Sequence, residues 1–389
     1  MNICQEVLNE KSLLVQLRRH FHQHPEVSLK EFETCKKIEE ELDRFKISHR
    51  RVGETGVYAW IDGKLGEGEI VALRADIDAL AMDDLKDVDY KSQNNGVCHA
   101  CGHDAHTATL LVASKILKAK ENEFKGQIRI FFQQAEEIGQ GGRLFVQEGL
   151  MKDVKRVFGV HVASSIDSGK ISITAGPNNA SCDYFKIEIN GKDAHVSTPQ
   201  KGVDALYIAS QVVVNLQSIV SRCTDPIDTV VVGIGVLKAG TQYNIVAKKA
   251  EIEGTTRCFT NETREKTNQR VIDITNGICD IYGAKANITF KNYASPLIND
   301  EQACLEAYQV CKKIIDEKNI ITNNEKSLGA DDFADFLEQA QGVYCFLGTK
   351  NKNNPNTCVA QHNGYFDLDE DALLLSCQMY VDYALEILK

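Results

Sequence analysis

EIVALRAD (residues 69–76) and QIRIFFQ (residues 127–133) are short apolar runs that end abruptly in polar side chains, and residues 104–120 between them recur at helical spacing. A strand, a helix and a second strand of these lengths make a crossover unit, which puts parallel strands in one sheet with helices on its faces. Working outward, GVYAWI (56–61) and RVFGVHV (156–162) read as further strands. Asp76 and Asp78 follow the first run, Glu136 and Glu137 the second, and His161 ends the last. Ligands of open α/β sheets sit outside the carboxyl ends of the strands, so three strands aim polar chemistry at one edge.

The texture changes at about residue 181. Strands at 184–189, 229–237, 250–257 and 286–293 and helices at 203–220 and 262–282 follow the order β-α-β-β-α-β, which suits a small open sheet under two helices. Past Pro296 the first texture resumes, with helices near 301–317 and 332–339, a strand at 342–347 and a closing helix from 370. The expected organisation is an α/β catalytic domain in two parts, 1–180 and 296–389, with a smaller α+β domain inserted at 181–295.

A chain of 389 residues with 43% hydrophobic and 25% charged side chains has material for two or three domains and is not disordered. The net charge of -11, from 55 acidic against 44 basic residues, repels phosphate backbones and anionic lipid, so neither nucleic acid nor a membrane is an expected partner. No apolar run approaches the roughly 18 residues of a bilayer span. The first 17 residues mix Glu6, Glu10 and Lys11 among Val7, Leu8, Leu13 and Leu14, an amphipathic helix rather than a signal peptide, and a cytoplasmic location is expected. The 13 cysteines, scattered from Cys4 to Cys377, read as reduced thiols placed mostly in the core.

CHACGHDAH (98–106) packs two thiols, three imidazoles and a carboxylate into nine residues. Thiolate and imidazole suit zinc or a neighbouring transition metal. Gly102 lets the backbone turn sharply enough for Cys101 and His103 to face one ion, and Asp104 is the expected cap of the following helix. Three other readings stand beside this one: a redox pair of Cys98 and Cys101, a closed structural zinc site, and a metal-free set of core and capping residues. In QQAEE (133–137), adjacent carboxylates repel unless something positive stands beside them. A metal would let one ligate while the other carries a proton; the alternative is a solvated start to a helix. His161, and His362 within QHNGYFD (361–367), are single histidines that gain weight only in company with Cys101, His103 and Glu137. In the inserted domain His195, Asn244 and Arg257 offer donors for an oxyanion and a substrate carboxylate, or are surface residues.

RADIDAL, CHACGHDAHTA, QQAEE, GVHV, GKDAHVSTP, NIVAKKAEIEGTTR, GADDF and HNGYFDLDEDAL occur in the order in which they stand in the dinuclear metal amidohydrolases, over nearly the whole chain. The sequence resembles this family, which includes aminoacylases, hippurate hydrolases, indole-acetyl-amino-acid hydrolases and N-acetyl-diaminopimelate deacetylases. The resemblance implies a zinc-peptidase-like catalytic domain with a smaller lid and dimerisation domain. It implies two divalent metal ions, zinc favoured over manganese, cobalt or nickel, held by Cys101, His103, Glu137, His161 and His362. Glu136 matches the general base, and His195 the histidine that reaches into a partner subunit's site in related dimers. Asn244 and Arg257 match substrate-binding positions. The implied activity is hydrolysis of the amide bond of small-molecule N-acyl amino acids by a homodimer or higher homo-oligomer. A dipeptidase or an N-carbamoyl amidohydrolase is the alternative, and a noncatalytic metal-dependent binding protein the alternative of another class. Four positions depart from the family pattern: Ala81 and Gln134 where Pro is common, ASS (163–165) where a Pro follows the histidine motif, and Asp331 where Glu is common.

Overall fold

In the computed structural model, which describes residues 1–389, Ile70–Asp76 lies between Gln127–Gln133 and Val154–Asp167 and runs parallel to both. Arg74 pairs with Phe131 on one side and Gly159 on the other, and Asp76 pairs with Gln133. His161, two residues beyond Gly159, therefore leaves its strand level with Asp76 and Gln133. Gly342–Lys350 adds a parallel strand beyond Val154–Asp167, and Gly56–Asp62 and Ser48–Val52 continue the other side antiparallel. With Ile171–Ser172 and Ile320–Ile321 the sheet has eight strands. Its central strands are buried along almost their whole length, as strands covered on both faces must be.

The helix His103–Ala119 packs against Lys11–Gln23 and Leu373–Ile387 and is buried on nearly every side. Its sequence explains the fit: Ala105, Thr107, Ala108, Ala113 and Ser114 let neighbours approach, while Leu110, Leu111, Ile116 and Leu117 fill the core. No helix is long and apolar enough to cross a membrane.

The chain divides into two units, one of residues 1–176, 299–325 and 331–389, the other of residues 177–298 and 326–330. The second unit holds a four-stranded antiparallel sheet in the order Lys285–Ala294, Cys182–Asn190, Lys249–Cys258, Val230–Ala239. Cys182–Asn190 alternates, with Phe185, Ile187 and Ile189 buried, and these pack with Ile208, Val212 and Leu216 of Ala205–Leu216 and Val271 of Asn261–Tyr282.

Several local expectations are corrected. Asp104 does not cap the helix: Gly102, at φ 92, precedes its first residue His103, and the Asp104 carboxylate turns inward to His22 Nδ1 (2.6 Å) and Arg18 Nε (3.0 Å). The strand expected to end at Val162 runs on to Asp167. The helix expected at 332–339 shrinks to Ala334–Leu337 with a single turn at either end, where the N–H of Asp335 donates to Asp332 O and that of Gln339 to Phe336 O, each at 3.0 Å. The helix expected at 203–220 is Ala205–Leu216, followed by a wider turn at Ile219–Cys223. The helix Phe32–Arg44 and the edge strand Ser48–Val52 lack a run apolar enough to stand out in the sequence.

Candidate metal centre

Cys101 and His103 flank Gly102, which has no room for a side chain: a Cβ there would lie 2.4 Å from Val162 Cγ2, and its φ of 92 is a conformation that glycine alone adopts freely. The turn carries Cys101 to one wall and starts the helix at His103. Glu136 and Glu137 enter from the end of Gln127–Gln133, His161 from Val154–Asp167 on the far side of Ile70–Asp76, and His362 from a turn at φ 60 whose N–H donates to Ala100 O at 2.8 Å.

These side chains form two overlapping groups. Donor atoms of Cys101, His103 and His161 lie within 4.8 Å of one another, as do those of Cys101, Glu137 and His362. Cys101 Sγ belongs to both and sits 3.5 Å from His161 Nε2. His103 Nε2 is 3.9 Å from both Glu136 Oε2 and Glu137 Oε1, and Glu137 Oε2 is 3.6 Å from His362 Nε2.

The supporting hydrogen bonds prepare the buried His103 and the half-buried His161 for ligation. His103 Nδ1 donates to Asp78 O at 3.0 Å, and His161 Nδ1 donates to Val162 O at 2.7 Å. Nε2 of each ring then faces the cluster, and the bond at Nδ1 is the kind that orients a metal-binding histidine. His103 Nε2 and Glu137 Oε1 are buried and make no hydrogen bond. Unpaired buried polar atoms of this kind are costly, and thiol, imidazole and carboxylate ligands suit a divalent transition metal. The residues present therefore fit a metal.

Electrostatics agree. Burial, with Asp331 and Glu137 adding negative charge, holds the Glu136 carboxyl well above the usual carboxylate range. Burial pushes Glu137 up to about 7, against the pull of His103. Burial opposes charge on His103, but Asp76, Cys101 and Asp78 outweigh it and hold its proton well above the ordinary histidine range. Several acidic groups thus compete for too little positive charge.

Two nearby groups have the right residue types and do not fit a metal. His106 donates from Nδ1 to Asp76 Oδ1 at 2.6 Å and accepts the Val162 N–H on Nε2 at 2.9 Å, which leaves it no free lone pair. His22, Asp84 and Cys98 converge, but the buried Lys86 ammonium lies 2.8 Å from Asp84 Oδ1 and 3.9 Å from Cys98 Sγ. A lysine already supplies the cation there. Cys98 is thus directed to Lys86 and Cys101 to His161.

Sequence reasoning placed Asp76 and Asp78 at this edge of the sheet but missed the buried Arg74 and Asp332 behind the site. Arg74 donates to Asp76 Oδ2 (2.6 Å), Gln133 Oε1 (2.8 Å) and Asp332 Oδ1 (2.8 Å), tying the ends of two strands to residues 331–333. Asp78 accepts the N–H of Glu137 at 3.0 Å and the hydroxyl of Ser28 at 2.6 Å. The charged residue inside an otherwise apolar strand, Arg74 in EIVALRAD, is the one signal that could have revealed this network. Gln134, at a position where the family commonly has Pro, donates from Nε2 to Val52 O at 3.1 Å and is buried.

His195, Asn244 and Arg257 lie in the second unit. His195 pairs with Ile245 across a bridge, and the N–H of Val196 donates to Asn244 O at 3.2 Å, so His195 and Asn244 share one exposed loop pair. His195 Nδ1 accepts the N–H of Ser197 at 3.1 Å, which leaves the ring proton on Nε2 of the neutral form. Arg257 Nη1 donates to Leu328 O at 3.0 Å.

The family model of Peptidase family M20/M25/M40 matches residues 72–386. The chain is 36% identical over 376 residues to an N-acetyl-L-cysteine deacetylase of Bacillus subtilis, covering 96% of this chain and 88% of the relative. It is also 36% identical over 385 residues to thermostable carboxypeptidase 2 of Saccharolobus solfataricus, covering 96% of each. Among solved structures, a dinuclear metal-binding M20 peptidase of Bacillus subtilis superposes with a TM-score of 0.84 at 32% identity, over 98% of this chain and 99% of that one. Fold, ordered motifs and full-length similarity agree: the chain belongs to peptidase family M20/M25/M40 and is an enzyme of hydrolytic type.

Proposed function

We propose that the protein hydrolyses the amide bond of N-acyl amino acids at two divalent cations, releasing a carboxylic acid and a free amino acid. The observation that carries the reading is the convergence of Cys101, His103, Glu137, His161 and His362 beside Glu136, whose burial favours a held proton. The similarity to a deacetylase of N-acetyl-L-cysteine supports the substrate class. Cys101, His103, Glu137, His161 and His362 would hold the two ions. When bound, the cations supply Lewis acidity toward water and toward the scissile carbonyl. Glu136 takes the proton of the attacking water and delivers it to the leaving nitrogen, base and then acid. His195, with its proton on Nε2, donates to the carbonyl oxygen as it gains negative charge. Arg257 and Asn244 hold the carboxylate of the departing amino acid.

Thiolate ligation favours zinc, with manganese, cobalt or nickel as the other candidates. The protein is proposed to be cytoplasmic and to form a homodimer through the second unit, the lid and dimerisation domain. There the edge strand Val230–Ala239 lacks a neighbour on one side, and the helix Ala205–Leu216 exposes Leu206, Tyr207 and Val214. A binding protein would have no use for a buried proton carrier at its metal.

The similarity to a carboxypeptidase favours one second reading, cleavage of unblocked peptides at the same centre. A panel of acetyl, benzoyl, indoleacetyl and carbamoyl amino acids and dipeptides, assayed for amine release after metal reconstitution, separates the two. Release from the acylated amino acids, abolished by chelator, is expected. No release from any N-acyl amino acid by metal-loaded protein would refute the proposal, and preference for free dipeptides would select the second reading.

A further inference from the structure

Glu31 is a fully buried carboxylate that the proposed chemistry does not use. It directly precedes the helix Phe32–Arg44, and both of its oxygens are occupied. Oε2 accepts the Thr55 hydroxyl at 2.7 Å, and Oε1 accepts the backbone N–H of Ala135, 104 residues away, at 2.9 Å. Ala135 has φ 55, the left-handed conformation that a Cβ disfavours. That one residue turns the chain out of the strand Gln127–Gln133 and into the turn Glu136–Ile138. The same N-terminal loop grips the turn from its other side, because Ser28 Oγ donates to Asp78 Oδ2, which accepts the N–H of Glu137.

We infer that Glu31 is a positioning residue: its carboxylate holds Ala135 in the left-handed conformation and thereby sets where Glu136 presents its proton. The inference rests on the reading of Glu136 as proton carrier. A charge-assisted bond from a buried carboxylate to a backbone N–H is strong and directional, and here it falls on the residue whose backbone is least content. Released from it, Ala135 relaxes toward negative φ and swings the side chains that follow.

The test uses the metal-loaded protein and four variants: Glu31→Ala, Glu31→Gln, Ala135→Gly and the double variant Glu31→Ala/Ala135→Gly. A displacement of about 1 Å costs on the order of 10²-fold in rate, so Glu31→Ala is expected to lower kcat by about 10- to 100-fold while KM changes by less than about threefold. Glu31→Gln keeps most of kcat, because its amide oxygen still accepts the Ala135 N–H and its amide nitrogen can donate to Thr55. Glycine takes positive φ without support, so adding Ala135→Gly to Glu31→Ala restores about tenfold or more of the lost kcat. A role confined to packing would show no such rescue, since glycine only removes more volume. An unchanged kcat in Glu31→Ala, or a folded double variant no faster than Glu31→Ala, overturns the inference. Should Glu31→Ala not fold, Glu31→Leu, which fills the same space but accepts no hydrogen bond from Ala135, takes its place with the same expectations. Glu136→Gln, run in parallel, separates the two ideas. Full turnover there defeats the proton-carrier reading, whereas an inactive Glu136→Gln beside an unaffected Glu31→Ala defeats only the positioning role.

Discussion

At Glu136 and Cys101 two neighbouring side chains should fail in different ways when altered. Glu136→Gln keeps the size and loses the proton, so kcat falls by about 10²- to 10⁴-fold with metal content unchanged. Cys101→Ser replaces a thiolate with a far poorer ligand, so elemental analysis should show lower occupancy before any rate is measured. Equal metal content in the serine variant would remove Cys101 from the ligand set. His99 gives a prediction in pH. Burial lowers its pKa to about 3, and neither ring nitrogen has a hydrogen-bond partner. An imidazole neutral in the folded state but free to charge when unfolded costs stability as pH falls below about 6.5, and the loss keeps growing until about pH 3. By pH 5 it amounts to roughly 2 kcal/mol. In chelator, the melting temperature of the natural protein should therefore drop faster between pH 7 and pH 5 than that of His99→Phe. Parallel curves would refute the assignment.

At the scale of elements, the turn at Gly102 decides whether Cys101 and His103 meet. Gly102→Ala places a Cβ 2.4 Å from Val162 Cγ2 at a positive φ. Left-handed backbone alone costs about 1–2 kcal/mol, and the clash adds to it, so thermal unfolding should show a loss of at least about 2 kcal/mol together with weaker metal binding. A variant as stable and as well loaded as the natural protein would mean that the turn is dispensable. The sequence makes this turn readable, as it does the ends of the parallel strands. Glu137 stands just past the end of an apolar strand and Cys101 and His103 just ahead of an apolar helix, where polar groups need a reason, whereas His161 interrupts an apolar strand from within. Residues that work by reaching across the fold carry no local pattern. Arg74 meets Asp332 258 positions away, and Glu31 meets Ala135 across 104. The Asp104 cap fails for the same reason. A carboxylate beside a helix start is locally a cap, but Arg18 and His22 arrive from another helix and draw it inward.

Across the whole molecule the division of labour is itself testable. All five candidate ligands belong to the unit of residues 1–176, 299–325 and 331–389, whereas His195, Asn244 and Arg257 belong to the other. A ligand that binds only the folded state at 100 times its dissociation constant stabilises by about 2.7 kcal/mol, so chelation should lower the unfolding temperature of the first unit and leave that of the second in place. Calorimetry with and without metal checks this, and an equal shift in both transitions would contradict it. The same division bears on the proposed dimer. His195→Ala should lose turnover with its metal content intact, the reverse of Cys101→Ser. If His195 serves the partner's centre, mixing His195→Ala with Glu136→Gln builds hybrid dimers in which one centre has both groups. Random exchange at equal amounts makes about half the dimers hybrid, each with one complete centre of two, so about a quarter of natural activity should return. Neither variant alone can supply it. A mixture of verified hybrids no more active than its components would place His195 with the centre of its own chain, or outside the reaction altogether.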